Sequence, residues 1–185
     1  NEGSGNTAYD YLKRNNGTLS SGGSGGNSTS QDMWDGGASG KYNRSLEFDG
    51  SNDAVTVGNI GSIGNSISAW VKPSTTTQKV LELSGTAYIE ISAGVVSATG
   101  FTAPTIYVDG FAKTSFPDTN WHLITIVDTT AVNASAMNIG KQSTNYFTGQ
   151  LDDVRIYNYA LSANQVKKVY NEGSAVRFGP ASGQP

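Results

Sequence analysis

The feature that most constrains this chain is the rhythm of its apolar residues. Short runs of Val, Ile, Tyr and Thr alternate with Gly/Asn/Asp turns along most of its length. Period-two alternation sends successive side chains to opposite faces and reads as half-buried strands, and long helical patterns are nearly absent. That rhythm predicts an all-β sandwich. The 185 residues suit one domain with a sizeable core. The domain is expected over 1–179, with an irregular tail at 180–185.

Residues 46–49 and 54–57 read as a strand and its return across the turn at Gly50–Asp53. Residues 66–72 alternate well, and Pro73 ends them. Residues 79–83 and 88–91 read as the next pair. Residues 106–108 lead into Asp109-Gly110, a strong signal for a type I′ hairpin. Further strands are expected at 121–127, 136–140 and 149–157. The Gly/Ser-rich stretch at about 20–30 buries little apolar surface and reads as a flexible loop, with Met33 and Trp34 pinning the chain to the core beyond it.

The closing stretch changes period. Alternation from 151 puts Leu151, Asp153, Arg155 and Tyr157 on one face and Asp152, Val154, Ile156 and Asn158 on the other. Neither face is cleanly apolar, which predicts a central strand with one side packed and the other in a site. Ser162 and Gln165 then form a capping box, with Leu161 and Val166 placed for a hydrophobic staple. Val166, Val169 and Tyr170 share one helical face, and Gly173 is a natural stop. So short a helix is unstable alone, so it must dock on something larger.

Several classes of partner are disfavoured. A net charge of −3 argues against nucleic acid, which calls for a basic face. No run is long and apolar enough to span a bilayer, so no membrane insertion by this segment is expected. With no cysteine there is no disulfide framework, thiolate metal site or cysteine nucleophile. The Ser/Thr/Asn/Gly-rich, charge-poor composition fits an exported protein. Asn-x-Ser/Thr triplets begin at Asn16, Asn27, Asn43 and Asn133, as chance provides in so Asn-rich a chain. The chain opens at Asn1 rather than Met, and upstream sequence is expected to precede it.

Five segments, in order, resemble the LamG-like (concanavalin A-like lectin/glucanase) β-sandwiches. They are Asn6-Thr7-Ala8-Tyr9-Asp10 with Asn16-Gly17-Thr18-Leu19, Leu46-Glu47-Phe48-Asp49-Gly50-Ser51-Asn52-Asp53, Ile67-Ser68-Ala69-Trp70-Val71-Lys72-Pro73, Ile106-Tyr107-Val108-Asp109-Gly110 with Trp121-His122, and the stretch from Gly149 to Tyr170. The resemblance implies a jelly roll of two antiparallel sheets, with the one short helix near 162–172. It implies an extracellular or cell-surface module for adhesion, binding a glycan or a surface protein. It also implies a structural calcium, held by Asp49, Asn52 and Asp53 on the turn and by Asp152 and Asp153 on the closing strand, since calcium takes six to eight oxygen ligands. The competing account makes Asp49 and Asp53 turn formers that cap backbone N–H groups, with Asp152 or Asp153 paired to Arg155.

The family usually opens on a Trp-containing strand ahead of the segment matched by Asn1–Gly5. Either that strand lies upstream or another segment replaces it, and the gap leaves a sheet edge that invites pairing with another copy of the chain. The start and the ending also resemble modules fused behind pilin-like helices. The alternative function is therefore a structural head domain of a pilin-like filament or surface-layer subunit.

Catalysis is not expected. Laminarinase-type relatives carry E-x-D-x-x-E, and Glu47-Phe48-Asp49-Gly50-Ser51-Asn52 lacks the last Glu. Glu82 and Glu90 can be placed on neighbouring strands, but no motif supports them. His122 is the only histidine, and it sits where the family has a structural Trp-His pair. A glycoside hydrolase is thus the third reading. Candidate sugar-stacking aromatics are Trp34, Tyr42, Tyr88, Tyr107 and Tyr146, and Trp70 and Trp121 are assigned to the core. For each tyrosine the alternative is a half-buried sheet aromatic.

Overall fold

Two antiparallel sheets packed face to face bury the main apolar cluster of the described residues. The structure is a computed structural model that describes residues 3–23, 25–36, 39–63 and 65–172. In chain order it begins with β1 (Thr7–Ala8), β2 (Gly17–Ser20), α1 (Ser30–Gly36), β3 (Leu46–Asp49), β4 (Ala54–Gly58) and β5 (Ser62–Ile63). Next come β6 (Ser66–Pro73), β7 (Gln78–Ser84), β8 (Ala87–Ser92), β9 (Val95–Thr99), β10 (Thr105–Val108) and β11 (Phe111–Ala112). The chain closes with β12 (His122–Val127), β13 (Val132–Asn133), β14 (Met137–Ile139), β15 (Lys141–Gln142), β16 (Asn145–Tyr146), β17 (Thr148–Tyr157) and α2 (Ala163–Asn171). Gly173 and the tail at 180–185 lie outside the described residues.

One sheet has seven strands in the order β1-β2-β4-β14-β7-β8-β9, and the other has six in the order β11-β10-β12-β6-β17-β3. Their inner faces meet in one core. Leu19, Val55, Leu81, Ile89, Ile91 and Val96 come from the first sheet, and Phe48, Ile67, Ala69, Val71, Ile124 and Ile126 from the second. This is the sandwich expected of a jelly roll. Asp109 and Gly110 both have positive φ and join β10 to β11 by a two-residue turn, as their sequence predicts.

The six-stranded sheet is also covered on its outer face. Trp70, Leu123 and Val127 pack there against Leu161, Val166 and Val169 of the α2 segment. This explains why the expected alternation of β6 gives way to burial at nearly every position from Ser66 to Pro73. The capping box forms as predicted: Gln165 N donates to Ser162 Oγ, and Ser162 N donates to Gln165 Oε1 at 2.8 Å.

β17 departs from the simple alternation. Asp152 pairs with Trp70 and Arg155 with Ser68, so three residues on β17 span two on β6. Asp153, with φ 50°, is the extra residue of a β-bulge. The bulge puts Asp152, Arg155 and Tyr157 together on the outer face and Leu151, Val154 and Ile156 together on the inner one. The mixed faces read from the sequence are thus one apolar face and one polar face, out of phase by a residue.

The Gly/Ser-rich stretch packs on the turn between β3 and β4. A Cβ at Gly25 would lie 1.9 Å from Asp49 Oδ2, and one at Gly22 would lie 2.6 Å from the Asn52 side chain, so only glycine allows this approach. Asn27 is buried at its end. In the following segment Asp32 Oδ2 accepts from the backbone N–H groups of Ser28 and Thr29 and holds the start of α1. The helix turns Met33 and Trp34 into the core, as anticipated.

Candidate functional site

With α2 over one sheet, the outer face of the seven-stranded sheet is the broad sheet surface left open. Across it the register lines up Thr18, Thr56, Asn138, Glu82, Tyr88 and Thr99, one residue from each of β2, β4, β14, β7, β8 and β9. At about 4.8 Å between strands the row is roughly 24 Å long. Lys79, Glu90 and Ser97 form a second, shorter row beside it.

The rows are held by their own hydrogen bonds. Thr56 Oγ1 donates to Asn138 Oδ1 at 3.1 Å, and Asn138 Nδ2 donates to Glu82 Oε2 at 3.1 Å. Ser97 Oγ donates to Glu90 Oε1 at 3.2 Å, and Lys79 is ion-paired with Glu90. The Lys79 ammonium also lies 4.6 Å from the centre of the Tyr88 ring. The hairpin of β15 and β16 borders the floor on β7, where Ser143 N points to Glu82 Oε2 at 3.5 Å and Lys141 lies over the Tyr146 ring at 5.7 Å. Such a surface offers fixed donors and acceptors around an aromatic ring.

The structure sorts the predicted aromatics into three places. Tyr88 and Tyr146 both border β7 on the seven-stranded sheet. Tyr107 of β10 and Tyr42 of the turn ahead of β3 lie on the other sheet's side, where both pack on the cluster beneath α2 and Tyr42 meets Trp70 edge-on at 6.2 Å. Trp34 is a correction. It is only 3 % exposed and its indole N–H donates to the Gly5 carbonyl at 2.8 Å, so it has no face free for a ligand. Trp70 is core as expected, and Trp121 is partly buried against the same cluster. Sequence reasoning missed Thr56, Lys79 and Asn138. Their only signal was an outward position in an alternating strand, which any solvated polar residue shares.

The five proposed calcium ligands do not converge. Thr148 of β17 lies opposite Asp49, so Asp152 is four residues further along, roughly 13 Å away at strand spacing. Asp152 Oδ2 accepts from Tyr42 N at 2.8 Å, and Asp153 is ion-paired with Arg155 at 2.8 Å. The latter pairing is the competing account of these residues. Among the described residues no three His, Cys, Asp or Glu side chains gather as a metal would require. The turn keeps one feature that a metal would satisfy. Asp53 Oδ2 accepts from Asn27 Nδ2 and Asp49 N, each at 2.8 Å, while its Oδ1 is buried with no hydrogen-bond partner. Burial pushes the Asp53 carboxyl above the usual range against the pull of those two donors.

His122 sits between two carboxylates, with Nδ1 2.7 Å from Asp109 and Nε2 3.0 Å from Asp118. It thereby ties the β10–β11 turn to the loop before β12. Both ring nitrogens are engaged, so neither is placed as a base for a nucleophile.

Residues 92–167 match the family model described as the concanavalin A-like lectin/glucanases superfamily. The chain thus resembles that superfamily over β9 to β17 and the first turn of α2. Among solved structures it is similar to domain 4 of AbnA, a GH43 extracellular arabinanase from Geobacillus stearothermophilus, in complex with arabinotriose. That similarity is at 19 % identity and a TM-score of 0.42, and it covers 71 % of this chain and 78 % of the other. No curated protein matches the chain.

Proposed function

We propose that this chain is a non-catalytic glycan-binding module of a secreted or cell-surface protein, reading its ligand on the open face of the seven-stranded sheet. The observation that carries this reading is the in-register row from Thr18 to Thr99 with Tyr88 within it. A sugar laid along the row meets the Tyr88 ring, an acceptor on Asn138, and donors on Lys79 and the flanking hydroxyls, with buried Glu82 holding Asn138 from beneath. The network already holds these groups in place, so little ordering cost remains for binding. Binding is favoured over hydrolysis by how the two carboxylates are engaged. Glu90 is occupied by Lys79 and Ser97, and Glu82 by Asn138. A glycosidase needs one of its pair free to carry a proton to the leaving oxygen.

The test is titration with a panel of neutral and acidic oligosaccharides, using Tyr88→Ala on this face and Tyr107→Ala on the opposite sheet. Tyr88→Ala should weaken binding at least tenfold and Tyr107→Ala should not. If no glycan binds, or if both variants bind like the parent, the reading fails. Release of reducing sugar would replace it with the hydrolase.

Calcium enters at the β3–β4 turn alone. Asp53 Oδ1 would be its first ligand, with Asp49 and Asn52 on the same turn and backbone carbonyls or water completing the set. The buried, unpartnered oxygen supports this smaller site. An ion there would stabilise the turn and would take no part in contacting the glycan row.

A further inference from the structure

The sheet face beneath α2 has a polar step between two anchored ends. β6 and β12 run antiparallel there, and their outward residues face each other in three pairs: Trp70 with Leu123, Ser68 with Thr125, and Ser66 with Val127. Trp70, Leu123 and Val127 pack against Leu161, Val166 and Val169, so the α2 segment straddles the middle pair. Ser66 is fully engaged at its end: its Oγ donates to the Tyr159 carbonyl at 3.0 Å and accepts from Leu161 N at 2.9 Å. The middle pair differs. Ser68 and Thr125 are each 1 % exposed, and neither hydroxyl has a hydrogen-bond partner among the described residues. A hydroxyl buried and left unbonded carries the full penalty of its removal from water. Two of them side by side under a helix call for a ligand between them.

We infer that an ordered water molecule is bound between Ser68 Oγ and Thr125 Oγ1, beneath α2, as a built part of the contact between the helix and the six-stranded sheet. Opposed residues of an antiparallel pair hold their Cβ atoms about 4.5–5.5 Å apart, so both hydroxyls reach one molecule set between them. Both side chains are short beside Trp70 and Leu123, which carry the helix, so the pair forms the floor of a recess. Val166 and Val169 on the helix offer neither donor nor acceptor to it. A buried water needs two to four polar partners. The pair supplies two, and Tyr157 of β17, on the other side of β6, brings a further buried hydroxyl to this face. An ion does not suit the site. Arg155 stands opposite Ser68 on β17 and repels a cation, while Asp153 and Glu172 already neutralise it against an anion. The ligand is therefore neutral, small, and able to donate and accept at once. The helix docks through an apolar rim around a hydrated centre. This inference does not rest on the glycan row, which lies on the other sheet.

The test combines crystal structures of the parent and of Thr125→Val with urea denaturation of Ser68→Ala, Thr125→Val and the double variant. A water within hydrogen-bond distance of both hydroxyls should appear in the parent and be absent from Thr125→Val. Each single variant should unfold at a lower urea concentration than the parent, because it strands the remaining hydroxyl. The double variant should lose less than the two single losses added together. Hydroxyls bonded directly to each other, with no water between them, overturn the proposal. A single variant that gains stability also overturns it, since that is the result for a hydroxyl buried with no partner at all.

Discussion

Asn27 and Asp53 meet in the interior of the molecule, with 6 % and 0 % of their surfaces exposed, and Asn27 Nδ2 donates to Asp53 Oδ2 at 2.8 Å. The bond ties the end of the glycine-rich segment to the β3–β4 turn. Asn27→Ala leaves the carboxylate with Asp49 N as its remaining donor. The expected cost is about 1–3 kcal/mol, the usual penalty for stranding a buried polar group. A melting temperature within a degree of the parent would show that the bond contributes nothing.

Calcium at this turn has a thermodynamic signature. An ion present at a hundredfold excess over its dissociation constant adds about 2.7 kcal/mol to stability. Calcium should raise the melting temperature of the parent, and chelation should reverse the rise. Asp53→Asn should abolish the response. An identical rise in the variant would place any calcium elsewhere.

Two other buried carboxylates should give opposite pH profiles. Burial raises the Asp152 carboxyl against the pull of Tyr42 N. The folded state therefore holds this proton more tightly than the unfolded chain. Its contribution is complete below the unfolded value of about 4 and is lost as pH rises through the folded one. Asp128 is also buried, but donors from Thr130, Ala103 and Thr102 overcome burial and lower its carboxyl. Its contribution is present above about 4 and is lost as pH falls through the folded value. Asp152→Asn should thus cost less at pH 7 than at pH 3.5, and Asp128→Asn should cost more. Urea denaturation at the two pH values decides it, and parallel behaviour of the two variants would sink the argument.

The capping box of α2 should be worth about 1 kcal/mol through Ser162→Ala. Since α2 covers Trp70, whose ring stacks on Tyr170 at 5.7 Å, loosening the helix should expose that indole. The measurable result is a red shift of tryptophan emission below the main unfolding transition. Emission unchanged up to that transition would mean that the helix is held by packing alone.

The sandwich was legible in the sequence because its main strands carry their own signal. Residues 66–72 and 121–127 are apolar enough, and Asp109-Gly110 specific enough, to be placed without tertiary information. α1 was not, because seven residues with two core anchors and no repeat leave no period to detect. β9 was missed because Val95-Val96-Ser97-Ala98-Thr99 is nearly neutral and takes its place from pairing with β8. The candidate site was less legible still. Thr56, Asn138 and Glu82 are far apart in the chain and ordinary in type, and only strand order makes them neighbours. The family resemblance implied one metal shared by the β3–β4 turn and the closing strand, but the ladder between β3 and β17 holds the two groups of carboxylates apart.

The bulge at Asp153 makes the closing strand sensitive to counting rather than to chemistry. Were β17 to pair regularly through Asp153, Val154 and Ile156 would turn towards the helix, and Arg155 and Tyr157 towards the core. Deleting Asp153 would instead leave plain alternation, with every neighbouring side chain on its present face. A one-residue deletion at this position should therefore survive in a lineage of related chains.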